Sequence, residues 1–376
     1  MPIMSRSALV IAVGLFLVIG LVIVQFLPPQ RSSALSKPSD SGSASKPVTP
    51  DPARIRTYLA TQAQMYWSRN QPYVHLDNGW WFLVPEMAFY GQGPFWGESA
   101  PPEAQTNHNQ DPLKVVLQVH ESLKSVGVTL ILVPIPGKTL IYLDKLEPSF
   151  VNDRRWDEPL QQFFQMLTKN GIEVVDLTEP FFAMRRAGGE VYASQDSHPS
   201  PAAYLLAAQE IGKRVRGQAW YAATPTQPKS ARRRESVVDV VADLPFMAKA
   251  KPQSEKIKVV QTFDGDKTVA SDRNSPIVLI GDSHLLKIYP NGGLVDHLFG
   301  EIGAVDVVAV AGDGANSPRL TLARRGDNLA GKKCIIWCFA ARTLTQSPDG
   351  WRMFPLIPPT SRVTSQSAPS ASRPTP

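Results

Sequence analysis

Apolar runs and amphipathic stretches alternate along most of this chain. Nearly continuous apolar segments predict buried strands over 128–136, 275–282, 304–312 and 334–340. Shorter segments predict strands over 79–85 and 172–178. Apolar residues at helical spacing predict helices over 112–127, 159–171 and 200–215. Buried strands that alternate with helices are typical of a parallel sheet covered on both faces, so the pattern predicts a three-layer α/β protein.

The N-terminal segment differs from the rest of the chain. Residues 7–27 carry no charge, and Gln25 is their only strongly polar side chain. About 20 apolar residues span a bilayer as a helix, whereas the apolar part of a cleaved signal peptide has about 7–15. The length therefore predicts an uncleaved transmembrane anchor, and a signal peptide is the alternative.

Composition divides the remainder of the chain. Residues 28–52 and 358–376 are rich in serine and proline and poor in large apolar residues, which predicts a disordered tether and a disordered tail. The folded body is expected to cover 53–357, with a polar insertion at about 222–256. Residues 1–27 would form a short cytoplasmic stub followed by the anchor.

Charge and cysteine content exclude several functions. The net charge is +6, but positive and negative residues are mixed along the chain. Arg232, Arg233 and Arg234 lie in a polar stretch without interleaved aromatic residues, so we expect a solvated loop and no nucleic-acid partner. Cys334 and Cys338 lie on one predicted strand about 13 Å apart, too far for a disulfide, and lack the nearby histidines of a zinc site.

Polar residues with chemical potential follow three of the predicted strands. Ser283, Asp313 and Arg342 each come just past a strand end. Ligands of parallel α/β sheets bind outside the carboxyl ends of the strands. The segment Gly281-Asp282-Ser283-His284 is therefore either a turn that caps a helix or a nucleophile held at the tip of a strand.

A second cluster supplies the partners that a nucleophilic serine needs. Asp196 and His198 precede a predicted helix for which Ser200 is a good N-cap. Nucleophilic acyl transfer requires a serine, a general base and a carboxylate that orients the base, and Ser283, His198 and Asp196 match these types. Taken separately, both segments are equally compatible with ordinary helix caps. His284 is an alternative base, but adjacent side chains in a turn generally diverge, which favours His198.

Small residues follow the next predicted strand. Gly312 and Gly314 would leave backbone N–H groups free, and Asn316 could add a side-chain donor. Together with the amide of Ser283, they are candidates for an oxyanion hole. Arg342 is a candidate substrate-binding residue at the end of the last strand.

These motifs together resemble the SGNH hydrolase superfamily. In most of its members the Asp–His pair follows the serine, whereas here the pair at 196–198 precedes Ser283. That permuted order is similar to the alginate O-acetyltransferases of the AlgJ/AlgX type. Segments 76–83, 132–146 and 335–344 agree with the same family, and the resemblance covers about residues 70–345.

The resemblance implies a flavodoxin-like SGNH body that O-acetylates an exported or cell-surface polysaccharide through an acetyl-serine intermediate. It implies a multi-spanning membrane acyltransferase as the donor partner, and a catalytic domain in the periplasm or otherwise outside the cytoplasm. It implies no metal or soluble cofactor. A carbohydrate esterase with the same triad is one alternative. A non-catalytic polysaccharide-binding scaffold is another, because Pro199, His284 and Cys338 depart from residues common in the family.

Overall fold

A computed structural model describes residues 51–97, 111–224, 230–251 and 254–357. The predicted anchor at 7–27, nearly all of the predicted tether and the predicted tail lie outside these ranges. Among the described residues, no helix has both the length and the apolar character needed to cross a bilayer.

A five-stranded parallel sheet forms the centre of the described body. Its strands are β3 (Thr129–Ile135), β4 (Glu173–Val174), β8 (Ile277–Gly281), β9 (Asp306–Ala309) and β10 (Cys334–Ala340), in the order β4-β3-β10-β8-β9. All four pairings are parallel. Every residue of β8 and β10 is buried, and successive side chains point to opposite faces, so both faces of the sheet are covered. The predicted α/β architecture with a parallel sheet is confirmed.

Helices connect and cover these strands. They are α1 (Pro52–Ser68), α2 (Val84–Gly91), α3 (Pro112–Lys124), α4 (Lys138–Ile141), α5 (Leu143–Leu146), α6 (Glu158–Lys169), α7 (Thr178–Arg186), α8 (Pro201–Arg216), α9 (Asp243–Met247), α10 (Leu294–Ile302), α11 (Ser317–Ala323) and α12 (Thr343–Gln346). Short 3-10 turns occupy Tyr221–Ala223 and Ser283–Leu285. A small antiparallel pair, β1 (Tyr73–His75) with β2 (Trp81–Leu83), lies near the start of the body.

The polar insertion is structured, which corrects the expectation of a loop around Arg232–Arg234. Strand β5 (Ala231–Val241) pairs antiparallel with β6 (Ser254–Asp264), and β6 pairs with β7 (Lys267–Thr268). Arg233 donates to Glu301 on α10 at 2.6 Å. Half-buried and exposed residues alternate in the second half of β5, but valines occupy both sets, so the sequence there shows no period-two pattern of apolar and polar residues.

Two further elements differ from the prediction. The strand expected over 172–178 shortens to two residues, because β4 lies at the edge of the sheet and pairs with β3 only. The turn at 281–284, considered above as a helix cap, leads into one 3-10 turn, and the next helix begins only at Leu294. Both cysteines are free and buried in β10, as their spacing along a strand requires.

Candidate active site

Ser283 lies directly after the central strand β8. Gly281 ends the strand against β10, where a side chain would meet the carbonyl oxygen of Cys338. Asp282 Oδ2 accepts from the Ala340 amide at 2.8 Å, and Asp282 Oδ1 accepts from the His284 amide at 3.1 Å. The carboxylate therefore ties the ends of β8 and β10 together and shapes the turn that presents the half-buried Ser283. Ser283 is the first residue of the 3-10 turn, and the backbone N–H at such a position has no hydrogen-bond acceptor within the helical turn itself.

The loop before α8 brings the predicted partners to this serine. Ser200 caps the helix by accepting from the Ala203 amide at 3.1 Å. Asp196 Oδ1 accepts from the His198 backbone amide at 2.8 Å and lies 3.0 Å from His198 Nδ1. The opposite ring nitrogen, Nε2, lies 3.0 Å from Ser283 Oγ. The three residues thus form a continuous carboxylate–imidazole–hydroxyl chain.

Asp243, which the sequence analysis did not single out, adds a second carboxylate to this chain. It is the first residue of α9, in the predicted insertion, and its Oδ2 lies 3.4 Å from His198 Nδ1. Ligand atoms of Asp196, His198 and Asp243 lie within 4.8 Å of one another, a spacing that could suit a cation. Hydrogen bonds among these residues and to Ser197 account for the arrangement, and we do not identify them as metal ligands.

The two carboxylates determine the protonation of the site. Burial lowers the pKa of His198, but hydrogen bonds and charges from Asp196 and Asp243 outweigh this effect and raise the pKa to about 10. Burial and the charge of Asp243 raise the pKa of Asp196. For Asp243, burial is outweighed by the interaction with His198, which lowers the pKa of that carboxyl. The imidazolium form of His198 is therefore stabilised.

A buried lysine supports the loop from behind. Lys138, only 1% exposed, donates through Nζ to the carbonyl oxygens of Ser194 at 2.8 Å and Asp196 at 2.9 Å. Burial lowers the pKa of Lys138 to about 8, with partial compensation from Asp196 and Asp243. The Lys138 ammonium also lies 5.3 Å from the centre of the Trp80 ring. Lysine is almost never fully buried without partners, and the partners of Lys138 are these two carbonyl groups, so its ammonium stabilises the loop that carries Asp196.

His284, the alternative base, has a different environment. Its Nδ1 lies 2.8 Å from the Tyr204 hydroxyl, and its ring packs edge-on against that of His198 at 5.3 Å. Burial lowers the pKa of His284 to about 3, with a further small contribution from His198 and Arg342. The buried ring is consequently neutral at ordinary pH, and His198 is the histidine that contacts Ser283.

The candidate oxyanion residues are two glycines, Gly312 and Gly314, and one asparagine, Asn316, and their environments differ. Gly312, at φ +81°, is exposed, and Gly314 packs where a side chain would meet Phe339 and approach Asp282. Asn316 is 1% exposed and donates to the Gly350 carbonyl oxygen at 2.7 Å. Its Oδ1 accepts from the Arg352 amide at 2.9 Å. Because these contacts fasten residues 350–352 to the body, we do not include the Asn316 side chain among oxyanion donors.

Arg342 follows β10, next to the strand that carries Ser283. Its Nη1 lies 3.3 Å from Glu86 Oε1, and the guanidinium side chain is 25% exposed. Glu86 is buried and its Oε2 accepts from the Thr139 amide at 3.1 Å. The buried Glu86 carboxylate therefore holds one side of the Arg342 guanidinium, and the remaining N–H donors can reach solvent or a ligand.

Comparison with known proteins identifies the family of the chain. The family described as "SGNH hydrolase-like domain, acetyltransferase AlgX" matches residues 95–341. The chain is 23% identical over 241 residues to the probable alginate O-acetylase AlgJ of Pseudomonas fluorescens, covering 60% of this chain and 59% of that protein. It is 25% identical over 258 residues to the corresponding protein of Pseudomonas syringae pv. tomato, covering 64% and 63%. The chain therefore spans about three fifths of the length of these curated relatives.

Solved structures show the same fold. The O-acetyltransferase domain of Pseudomonas putida AlgJ superposes with a TM-score of 0.53 at 19% sequence identity, covering 73% of this chain and 92% of that one. Identity at this level supports the architecture alone. The family match extends over more than half of the chain, from before β3 through the end of β10. The predicted resemblance is confirmed, and the chain belongs to the AlgX-type family of SGNH hydrolase-like acetyltransferases.

Proposed function

We propose that this protein is an O-acetyltransferase that acetylates hydroxyl groups of an exported or cell-surface polysaccharide through an acetyl-serine intermediate. The observation that carries the proposal is the hydrogen-bonded chain from Asp196 through His198 to Ser283 at the carboxyl end of the sheet. Membership of an acetyltransferase family and the names of the AlgJ relatives support the reaction class and a polysaccharide acceptor.

The first half-reaction loads the serine. Neutral His198 takes the Ser283 hydroxyl proton at Nε2 while Oγ attacks the carbonyl carbon of an acetyl donor. The resulting oxyanion is stabilised by the Ser283 amide and by the Gly312–Gly314 turn after β9. His198 then returns the proton to the leaving group of the donor, and acetyl-Ser283 remains. Asp196 holds the ring with Nδ1–H directed at its carboxylate, so that Nε2 faces the serine.

The second half-reaction transfers the acetyl group. His198 Nε2 removes the proton from a sugar hydroxyl, the hydroxyl oxygen attacks the acetyl carbon, and Ser283 Oγ leaves and recovers that proton. Arg342, fixed by Glu86, is the residue that we assign to acceptor binding beside Ser283. No metal or soluble cofactor takes part in these steps.

The cellular setting is part of the same proposal. We propose that residues 7–27 anchor the protein in a membrane and that the catalytic domain works outside the cytoplasm. A multi-spanning membrane acyltransferase would pass acetyl groups across that membrane to Ser283. Co-purification of the full-length protein with such a partner from its own cells would test this assignment, and recovery of the protein alone from membranes would contradict it.

The test of the reaction uses Ser283→Ala in the full-length protein, with Ser68→Ala at the exposed end of α1 as the matched control. A 4-nitrophenyl acetate donor is supplied with and without candidate oligosaccharides, and the products are weighed. Loss of both acetylated sugar and acetate by several orders of magnitude is expected for Ser283→Ala only, because triad members act as a unit. Acetate as the sole product with every acceptor would favour the esterase.

A further inference from the structure

The segment between β5 and β6 reaches into the site through one residue. Asp243 Oδ1 accepts from the Ser197 amide at 2.8 Å, and Oδ2 accepts from the Ser197 hydroxyl. The same Oδ2 lies 3.4 Å from His198 Nδ1. Asp243 therefore touches the loop that carries the proposed base at both the backbone and the imidazole.

This approach is held by independent contacts. The Leu244 amide donates to the Gln195 carbonyl oxygen at 3.3 Å, and the Leu244 side chain is buried beside Trp81 and Leu83. At the start of β6, Glu255 Oε1 accepts from Gln195 Nε2 at 2.9 Å. Both α9 and the start of β6 therefore contact the loop, so the position of Asp243 does not depend on one hydrogen bond.

We propose that Asp243 is a positioning residue whose carboxylate faces His198 Nδ1 together with that of Asp196, so that the segment between β5 and β6 completes the active site. This inference rests on the proposed function and deepens it, because it assigns a role to a segment that the sequence shows only as a polar insertion.

The distribution of hydrogen bonds shows why a second carboxylate has an effect. Asp196 Oδ1 receives both the His198 amide and Nδ1, while Asp196 Oδ2 has no hydrogen-bond partner among the described residues. The Asp243 contact of 3.4 Å is longer than an ordinary hydrogen bond, so it acts mainly through charge. When Ser283 loses its proton to His198, the imidazolium faces two carboxylates.

The other charged or titratable groups near His198 are few. His284 faces it from the turn after β8 and has a depressed pKa, so this ring stays neutral. Asp282 lies beneath the same turn, and Lys138 binds the Asp196 carbonyl from the opposite side. Arg342 and Glu255 lie at the edges of the site, where their charges reach His284 and Lys138. The two carboxylates at Nδ1 are therefore the groups that control the basicity of His198.

Removing one carboxylate charge has two opposed consequences. In Asp243→Asn, the pKa of His198 should fall by about one to three units, the usual effect of an opposite charge at this distance. More of His198 is then neutral at pH 7, so kcat/KM there stays level or rises. On the alkaline plateau, where His198 is neutral in both proteins, the variant should be slower by about tenfold because its imidazolium is less stabilised. A role confined to holding Ser197 would instead lower the rate equally at every pH.

The experiment compares full-length wild type, Asp243→Asn and Asp239→Asn. Asp239 is an exposed carboxylate on the preceding strand β5, and its variant serves as the matched control. The His198 ring is titrated by NMR in protein labelled at its six histidines, with His198→Gln used for assignment. In parallel, kcat/KM for 4-nitrophenyl acetate is measured from pH 5 to 11. If Asp243→Asn does not fold, Asp243→Ser keeps a polar oxygen without the charge and takes its place.

The expected result, in Asp243→Asn only, is a lower His198 pKa and an acid limb of the pH–rate profile that is displaced to lower pH, so that the profile crosses that of wild type. An unchanged His198 titration, or a parallel loss of rate at every pH, would overturn the inference. The titration does not need turnover. A shifted His198 pKa without acetyl transfer would refute the proposed function but leave Asp243 as the second partner of His198, whereas normal transfer with an unshifted pKa would refute Asp243 alone.

Discussion

Gly281 should be the most sensitive position around the proposed nucleophile. In Gly281→Ala, the new Cβ would lie 1.7 Å from the carbonyl oxygen of Cys338 on β10. Real Cβ atoms essentially never approach closer than 3.0 Å, so the two strands must separate by more than an ångström. The Cβ position is fixed by the backbone of β8, and the oxygen belongs to the backbone of the paired strand β10. No side-chain rotation can therefore relieve the contact.

The magnitude follows from this displacement. Overpacking a close-packed core costs about 1–3 kcal/mol, and we expect the upper end here because backbone on both sides must move. Ser283 lies two residues further along, so it shifts relative to His198. A misplacement of about 1 Å can reduce turnover by roughly 100-fold. Gly281→Ala should therefore lose about 3 kcal/mol of unfolding free energy and most of its activity.

The assay is urea unfolding followed by fluorescence, together with turnover of 4-nitrophenyl acetate in the fraction that remains folded. The matched control is Gly293→Ala, at the start of α10, where the nearest atoms to the new Cβ are 3.6 Å away. We expect the control to stay within about 1 kcal/mol of wild type, because the φ of −84° at this N-cap suits alanine and the new Cβ makes only ordinary van der Waals contacts. The reasoning fails if Gly281→Ala unfolds at the same urea concentration as wild type and retains full turnover.

Three further predictions test other parts of the account. Lys138→Met should lower turnover at least tenfold, because the Asp196 loop loses two charge-assisted hydrogen bonds. Its unfolding free energy should change by less than about 3 kcal/mol, since burial already disfavours the ammonium form. Turnover equal to that of wild type would argue that Lys138 does not support the loop. The pKa of His284 is lowered to about 3, so the folded state binds fewer protons there than the unfolded state, and the unfolding free energy falls by roughly 1.4 kcal/mol per pH unit below about pH 6.5. His284→Gln should remove that part of the acid dependence when urea unfolding is compared at about pH 7 and about pH 4.5. A pH dependence identical to that of wild type would contradict this prediction. Dialysis against EDTA should leave turnover unchanged, and restoration of a lost activity by zinc would show that Asp196, His198 and Asp243 hold a metal.

Local sequence patterns were sufficient to predict the parallel sheet and the three residues of the carboxylate–imidazole–hydroxyl chain. The apolar runs before Ser283 and around Cys334 identify buried strands, because both faces of a central parallel strand are covered. The Asp196–His198 pair is readable because its residues are two apart beside a helix cap. A serine at the end of one strand and a loop before a helix then meet at the carboxyl edge of the sheet.

Longer-range contacts could not be predicted in this way. Asp243 meets His198 only because β5 and β6 pair along eleven residues and carry α9 to the loop. Lys138 is an unremarkable lysine in the sequence, and its burial depends on carbonyl groups more than fifty residues away. Asn316 has the residue type of an oxyanion donor, but its side-chain amide donates to the carbonyl oxygen of the distant Gly350. In each case a distant segment sets the role of the side chain.

The central claim is that Ser283 carries the acetyl group, and trapping that intermediate tests it most directly. The full-length protein is mixed with 4-nitrophenyl acetate without acceptor, quenched in acid, digested and analysed by peptide mass spectrometry. The account predicts one added acetyl group on the peptide that contains Ser283, no such adduct in Ser283→Ala, and loss of the adduct when an acceptor oligosaccharide is added before the quench. An unmodified Ser283 peptide under conditions in which acetylated sugar accumulates would contradict the account.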